Sequence, residues 1–297
     1  MISVVIPLYN KEKSIQATLE SVLSQEYRDF EVVVVDDGST DRSAEIVKKI
    51  EDSRIRIIRK ENGGVSSARN AGIIAARGEY IAFLDGDDWW RTDYLGTLVQ
   101  LISDYPNASL YCLRYKSIEK ECDISSIEAD ELHSDFRGLI DDVWRNYPNI
   151  WTGCCCSSKK KLIEVGLFDM RMTHGEDIDM WWRLLLNGKC VVDNTKIVAY
   201  YIQDAENRAM NKVIPFEKHI PFYIEKYEKW RKENAGFRKF CDREFLYRMF
   251  QYTLMPQYKN DLKRVLGQID FSQQKLSMRL RFVFPRLYRL HLRYRHG

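Results

Sequence analysis

Over the first hundred residues, short apolar runs alternate with stretches whose apolar positions recur at helical spacing. Residues 2–6, 31–35, 54–59 and 80–84 are rich in Val and Ile and read as strands. Between them, residues 13–25, 41–50 and 65–76 place apolar side chains three or four apart, as at Ile15, Leu19, Val22 and Leu23, and read as helices. Ser39, Thr40 and Asp41 offer N-caps for the second of these helices. Strand–helix–strand alternation predicts βαβ units, hence an α/β fold with a mainly parallel sheet flanked by helices. A helix over 94–103 and a strand over 109–115 extend the pattern.

Further on the pattern loosens. Residues 116–149 are polar and irregular, 150–157 return to strand character, and 159–165 read as a short helix. The helix over 178–186 is apolar nearly all round, which predicts burial, and 197–202 read as a late strand. After about residue 205 only helices follow, rich in Tyr, Phe, Lys and Arg. The expected organisation is a first domain over 1–205, with halves of about 1–115 and 116–205, and a helical C-terminal extension over 206–297.

Composition adds one asymmetry. The 297 residues are 45% hydrophobic and 30% charged, ordinary for a soluble globular protein, with a net charge of +3. Residues 271–297 hold seven Lys or Arg and no acid, whereas the first 270 carry 43 acidic against 39 basic residues. Basicity therefore belongs to the tail, and an acidic body without a recognition motif argues against nucleic acid as a partner. Arg279, Arg286, Arg289 and Arg293 fall along one helical stripe beside Leu280, Phe282, Val283 and Phe284, with a kink expected at Pro285. Residues 275–297 fit an interfacial helix drawn to an anionic membrane surface; a terminal helix packed on its domain, arginines in solvent, is the alternative. No apolar run approaches the ~20 residues of a bilayer span, and residues 2–6 read as a strand rather than a leader. The expected location is cytoplasmic, peripheral on the inner face of the cell membrane. The seven cysteines form no CxxC pair, and Cys154, Cys155 and Cys156 read as small apolar residues of a buried strand.

The chemistry gathers at four successive strand ends, where open α/β sheets bind ligands. These are Pro7-Leu8-Tyr9-Asn10, the segment Asp36 to Asp41 beginning Asp-Asp-Gly, the segment Asn62 to Gly72 beginning Asn-Gly-Gly, and Asp85-Gly86-Asp87-Asp88. Each alone has a plain reading: a turn, a helix entry, a solvated arginine at Arg69, an N-cap. In the last segment, three carboxylates in four residues need a positive partner, and Mg²⁺ or Mn²⁺ is the usual one for hard oxygens. Together, in this order, the four ends make a metal–diphosphate site the leading reading. No GxGxxG follows the first strand, which disfavours a dinucleotide enzyme.

The four segments resemble the signature series of family 2 glycosyltransferases with the GT-A (Rossmann-like) fold, closely over about 1–115 and more loosely over about 150–205. That resemblance implies inverting transfer of a hexosyl or N-acetylhexosaminyl group from a nucleotide diphosphate sugar, UDP favoured. The acceptor would be a saccharide or lipid-linked saccharide of a surface polysaccharide such as lipopolysaccharide or capsule. It places Pro7, Tyr9, Asn10, Asp37, Asn62 and Arg69 around the nucleotide, Asp85 toward the ribose and Asp87 on the metal, with Asp88 as a helix cap or supporting group.

Glu176-Asp177, at the start of the 178–186 helix, resembles the family's Glu-Asp motif. It implies Asp177 as catalytic base with Glu176 supporting it or touching the acceptor; a plain reading is acids favouring a first helical turn. His174 fits either an acceptor contact or an idle loop residue, and Trp181 or Trp182 either packing or an acceptor platform. Many members carry a His after the last sheet strand; here Asp204, Asn207 or Arg208 stand in that region. Two other functions fit a similar sheet. A sugar nucleotidyltransferase would need a Gly-rich basic loop after strand one, which is missing, and a non-catalytic sugar-nucleotide binder would not need the intact acids.

Overall fold

A computed structural model of the chain describes residues 1–119, 136–203 and 214–285. The chain divides into two compact units, Met1–Lys212 and Val213–Gly297.

The first unit is a mixed α/β layer structure around one sheet. Its opening half is β1 (Ile2–Leu8), α1 (Ile15–Leu23), β2 (Phe30–Asp36), α2 (Ser43–Lys49), β3 (Ile55–Arg59), α3 (Val65–Ala75) and β4 (Tyr80–Phe83). These four strands are mutually parallel in the order β3-β2-β1-β4. Every residue of β2 is buried, which explains a Val run in place of alternation: helices cover both faces. Helix α3 crosses β1 so closely that a Cβ on Gly72 would lie 2.4 Å from Val5 Cγ1, so only glycine fits there.

Register decides where the strand ends meet. β1 and β2 pair from Ile2↔Phe30 to Leu8↔Asp36 and so finish level. β4 leaves the ladder at Val5↔Phe83, so the acidic segment 85–88 climbs beside the last residues of β1. A Cβ on Gly86 would stand 3.5 Å from the Pro7 carbonyl oxygen.

The other half adds β5 (Trp89–Trp90), α4 (Tyr94–Asp104), β6 (Leu110–Ile118), β7 (Arg137–Leu139), β8 (Cys155–Ser158), α5 (Lys159–Glu164), α6 (Glu176–Leu186) and β9 (Cys190–Ile202). The sheet continues β4-β8-β6-β9-β5, with β8 antiparallel to both neighbours and β6 parallel to β9. β5 and β7 both pair antiparallel with β9. β9 begins seven residues before the late strand that its apolar pattern announces, because Asp193, Asn194 and Thr195 interrupt that pattern at a register shift. Cys154, Cys155 and Cys156 are buried free thiols, as expected, the last two in β8. α2 is entered through Asp41, whose Oδ1 accepts from Ser43 N at 2.9 Å.

The second unit packs α7 (Glu228–Glu233), α8 (Ala235–Met249), α9 (Lys259–Leu266) and α10 (Leu276–Val283) with short 3₁₀ turns. Its core includes Phe216, Ile224, Tyr227, Phe237, Phe245 and Tyr252. A buried Arg231–Asp242 pair at 2.6 Å ties α7 to α8, and Asp242 Oδ2 also accepts from Asp270 N at 2.9 Å. Among the described residues no helix is long and apolar enough to cross a membrane.

Candidate active site

The strand-end side of the candidate site is built by three loops that hold one another. Asn10 has φ of 52°, a left-handed turn that lets its Oδ1 accept from Thr40 N at 2.8 Å while its own N–H donates to Ser39 Oγ at 3.2 Å. Asp37 is buried and accepts from Gly64 N at 2.8 Å, Gly63 N at 3.0 Å and Lys60 Nζ at 2.6 Å. Gly38 lies against the Asn62 backbone. Pro7, next to the last residue of β1, is half-buried, while Tyr9 and Asn62 are exposed. The structure thus gathers the expected nucleotide residues at one sheet edge, with Asp37 serving first as the latch between the loops after β2 and β3.

Arg69 departs most from a surface residue. Its side chain is 4% exposed; Nη2 donates to Asp85 Oδ1 at 2.9 Å and Nη1 to Glu176 Oε1 at 3.2 Å. The guanidinium also lies over the Phe168 ring, 5.4 Å from its centroid. Burial works to lower the pKa of Arg69, but Asp85, Glu176 and Asp177 outweigh it and hold it above the ordinary value. Asn70, the next residue, clamps the Phe168 backbone with two hydrogen bonds of 2.8 Å. One turn of α3 thereby fixes the segment that leads toward α6.

The acidic segment separates into three environments. Asp85 is partly exposed and faces Arg69. Asp87 Oδ2 accepts from Lys11 Nζ at 2.6 Å. Burial and then Asp85 raise the Asp87 pKa, with Lys11 opposing. Asp88 is fully buried and caps no helix: its Oδ1 accepts from Ile202 N at 2.9 Å at the end of β9, and its Oδ2 has no hydrogen-bond partner. That corrects the helix-cap alternative, since α4 begins after Asp93 instead.

Gly175, with φ of 78°, turns the chain into α6 and presents Glu176 and Asp177 in its first turn. Asp177 is half-exposed; its Oδ1 accepts from Ile178 N at 2.7 Å and its Oδ2 lies 3.4 Å from Thr152 Oγ1. Glu176 is buried, and burial together with the Asp177 charge pushes its pKa up to about 8 against the pull of Arg69. Trp181 and Trp182 are both buried, so neither is an acceptor platform. His174 Nδ1 lies 2.6 Å from the Thr173 carbonyl. Asp204, Asn207 and Arg208 lie outside the described residues. Lys11, Thr152 and Phe168 touch Asp87, Asp177 and Arg69 and are marked by no motif; for Lys11, only its place directly after Asn10 is a signal.

Asp85 and Asp87 offer the hard oxygens that Mg²⁺ or Mn²⁺ takes; burial and then the Asp87 and Asp85 charges push the Asp88 pKa well up, and its Oδ2 is left without a hydrogen-bond partner. Among the described residues no three His, Cys, Asp or Glu converge at ligand spacing. A cation here would be held by Asp87 and would leave coordination positions open to diphosphate oxygens.

A buried arginine thus joins the strand-end acidic cluster to the Glu-Asp pair on α6. The family model for glycosyl transferase family 2 matches residues 3–166, and the chain belongs to that family. The match includes Asp85 and Asp87 and stops before Glu176 and Asp177. Over 215 residues the chain is 31% identical to the Escherichia coli UDP-Glc:alpha-D-GlcNAc-diphosphoundecaprenol beta-1,3-glucosyltransferase WfaP, covering 71% of this chain and 81% of that protein. It is 45% identical to glycosyltransferase GlyA of Streptococcus pneumoniae over 106 residues, 35% of this chain but only 15% of GlyA. It is 50% identical to the uncharacterized glycosyltransferase EpsJ of Bacillus subtilis over 91 residues, 30% of this chain and 26% of EpsJ. The crystal structure of S. aureus TarS superimposes with a TM-score of 0.70 over 92% of this chain and 50% of TarS at 21% identity, a likeness of fold. TarS 1-349 in complex with UDP-GlcNAc gives 0.69, covering 90% of this chain and 80% of that one.

Proposed function

We propose that the protein is a metal-dependent, inverting glycosyltransferase that moves a sugar from a UDP-sugar to a hydroxyl of a lipid-linked saccharide in surface polysaccharide synthesis. The observation that carries this reading is Arg69 bridging Asp85 and Glu176, which joins the donor cluster to the Glu-Asp helix. The names of the relatives support the substrates: WfaP takes UDP-Glc and a diphosphoundecaprenol-linked GlcNAc.

The two acids of α6 take different roles. Burial and the neighbouring Asp177 charge keep Glu176 protonated at neutral pH, so it positions rather than accepts a proton. Asp177, half-exposed and steered by Thr152 and the Ile178 amide, is the base. It takes the proton of the acceptor hydroxyl as that oxygen attacks the anomeric carbon; the carbon–oxygen bond to the diphosphate breaks and its electron pair leaves with the diphosphate. Asp87 would hold Mg²⁺ or Mn²⁺, which when bound would supply positive charge for that leaving group.

The acceptor's lipid requires a route to the membrane surface. On α10, Leu276, Leu280 and Val283, followed by Phe284, are 68%, 44%, 64% and 51% exposed and share one helical face. Lys275 is exposed beside them, and residues 271–297 hold no acid to repel an anionic surface. Arg279 does not belong to the expected basic stripe, because its Nε donates to Gln274 O at 3.0 Å and its Nη2 to Ser272 O. Arg286, Arg289 and Arg293 lie outside the described residues.

A donor screen tests the reading. Purified protein is given UDP-Glc, UDP-GlcNAc, UDP-Gal or GDP-Man with Mg²⁺ or Mn²⁺ and a lipid-diphosphate-linked GlcNAc acceptor, and nucleotide diphosphate release is measured. Release that requires both acceptor and metal supports it. A protein that binds none of these donors contradicts it.

A further inference from the structure

Asp87, the carboxylate given above to a divalent cation, already holds a cation of the chain. Lys11 Nζ lies 2.6 Å from Asp87 Oδ2, and each side chain is 15% exposed. An ammonium and a divalent cation are like charges that both seek a hard oxygen, so they compete for this carboxylate. The backbone beneath Lys11 is pinned. Lys11 N donates to Ser43 Oγ at 2.7 Å, Asn10 N to Ser39 Oγ at 3.2 Å, and Glu12 N to Asp41 Oδ2 at 3.1 Å. Ser14 Oγ secures the far side of the loop on Gly86 O at 2.9 Å. When a metal arrives, the lysine side chain is the part that moves.

The neighbouring cations are committed elsewhere. Arg69 is buried between Asp85 and Glu176, and Lys60 Nζ sits between Asp37 Oδ1 at 2.6 Å and the Glu61 carbonyl at 2.5 Å. Lys11 differs in being held by a carboxylate that has a second claimant. The site sets Asp85, Asp87 and Asp177 against Lys11 and Arg69, so added positive charge favours the entry of a diphosphate.

We propose that Lys11 is an exchangeable cation: it pairs with Asp87 in the donor-free protein, yields that carboxylate to the metal when a sugar nucleotide binds, and turns its ammonium to the donor diphosphate. The inference rests on Asp87 being the metal carboxylate. It makes metal and nucleotide bind cooperatively, because each is hindered by the Lys11–Asp87 pair that their joint arrival breaks. It also assigns Lys11 to the charge that develops on the leaving diphosphate.

Lys11→Met removes the ammonium at similar length. Mn²⁺ binding without nucleotide is followed by the electron paramagnetic resonance of the free ion, and UDP and GDP binding at saturating Mn²⁺ by calorimetry. The expected result is opposite shifts: Mn²⁺ alone binds Lys11→Met about tenfold more tightly, whereas the nucleotide binds it about tenfold more weakly. Lys11→Arg keeps nucleotide affinity within about threefold of wild type. A damaged fold weakens both ligands and cannot mimic the gain in Mn²⁺ affinity. Shifts of the same sign, or no shift in either, overturn the inference while wild-type nucleotide binding leaves the proposed function standing. Wild-type protein that binds neither nucleotide overturns both.

Discussion

Arg69 Nη1 donates to Glu176 Oε1 at 3.2 Å although 107 residues separate them, and through this bond the first half of the sheet holds the helix that carries Glu176 and Asp177. Removing the guanidinium leaves Asp85 and Glu176 facing each other across a buried gap. Breaking a fully charged buried pair costs about 3–5 kcal/mol, and the loss here is smaller because Glu176 is already protonated at neutral pH. Arg69→Met therefore lowers the urea midpoint followed by tryptophan fluorescence. Arg69→Lys restores little, since a single ammonium cannot fork to two carboxylates.

Glu176 makes stability depend on pH. Its folded pKa of about 8 stands above the unfolded value near 4.5, so the folded chain holds the extra proton. The stability this contributes is present below about pH 4.5 and is lost as pH rises through about 8. Glu176→Gln is therefore expected to flatten the fall in melting temperature between about pH 5 and about pH 9. An unchanged slope in the variant removes Glu176 as its source.

Arg183 supports the site from behind. It pairs with Asp179 at 2.6 Å, both buried, and donates to the carbonyls of Leu167 at 2.6 Å and of Val165. Those carbonyls hold the turn before Phe168, in which Leu167 adopts a φ of 60°. Arg183→Ala frees the turn, removes the guanidinium paired with Asp179 and is expected to destabilise the protein by about 3 kcal/mol, seen in denaturant melts. Donor KM is expected to rise as Phe168 loses its place under Arg69.

For the membrane face, Leu276, Leu280 and Val283 are replaced together by Gln. The side chains are exposed, so the melting temperature stays near that of wild type. Co-sedimentation with phosphatidylglycerol vesicles is expected to fall about tenfold, with little binding of either protein to phosphatidylcholine vesicles. Equal binding of both proteins to the anionic vesicles removes α10 as the contact.

What the sequence discloses follows from distance along the chain. Each βα unit of the first half is local, so the strand ends at Leu8, Asp36 and Phe83 and the loops after them are readable from apolar runs and turn residues. β5 and β7 have two and three residues, too few to show a period, and exist because β9 offers them an edge. The Lys11–Asp87 and Arg69–Glu176 pairs span 76 and 107 residues and arise only when β1, β4 and α6 are brought together. The role of Asp88 was hidden for the same reason, because its partner, Ile202 N, lies 114 residues away at the end of β9.

The central claim is that Asp177 accepts the acceptor's proton. The direct measurement is turnover of Asp177→Asn beside wild type, with the donor found by the screen, saturating acceptor and metal, and nucleotide affinity determined on the same samples. The account predicts nucleotide affinity close to wild type and turnover lower by about 10²–10⁴-fold. Turnover within about threefold of wild type at equal nucleotide affinity would contradict it.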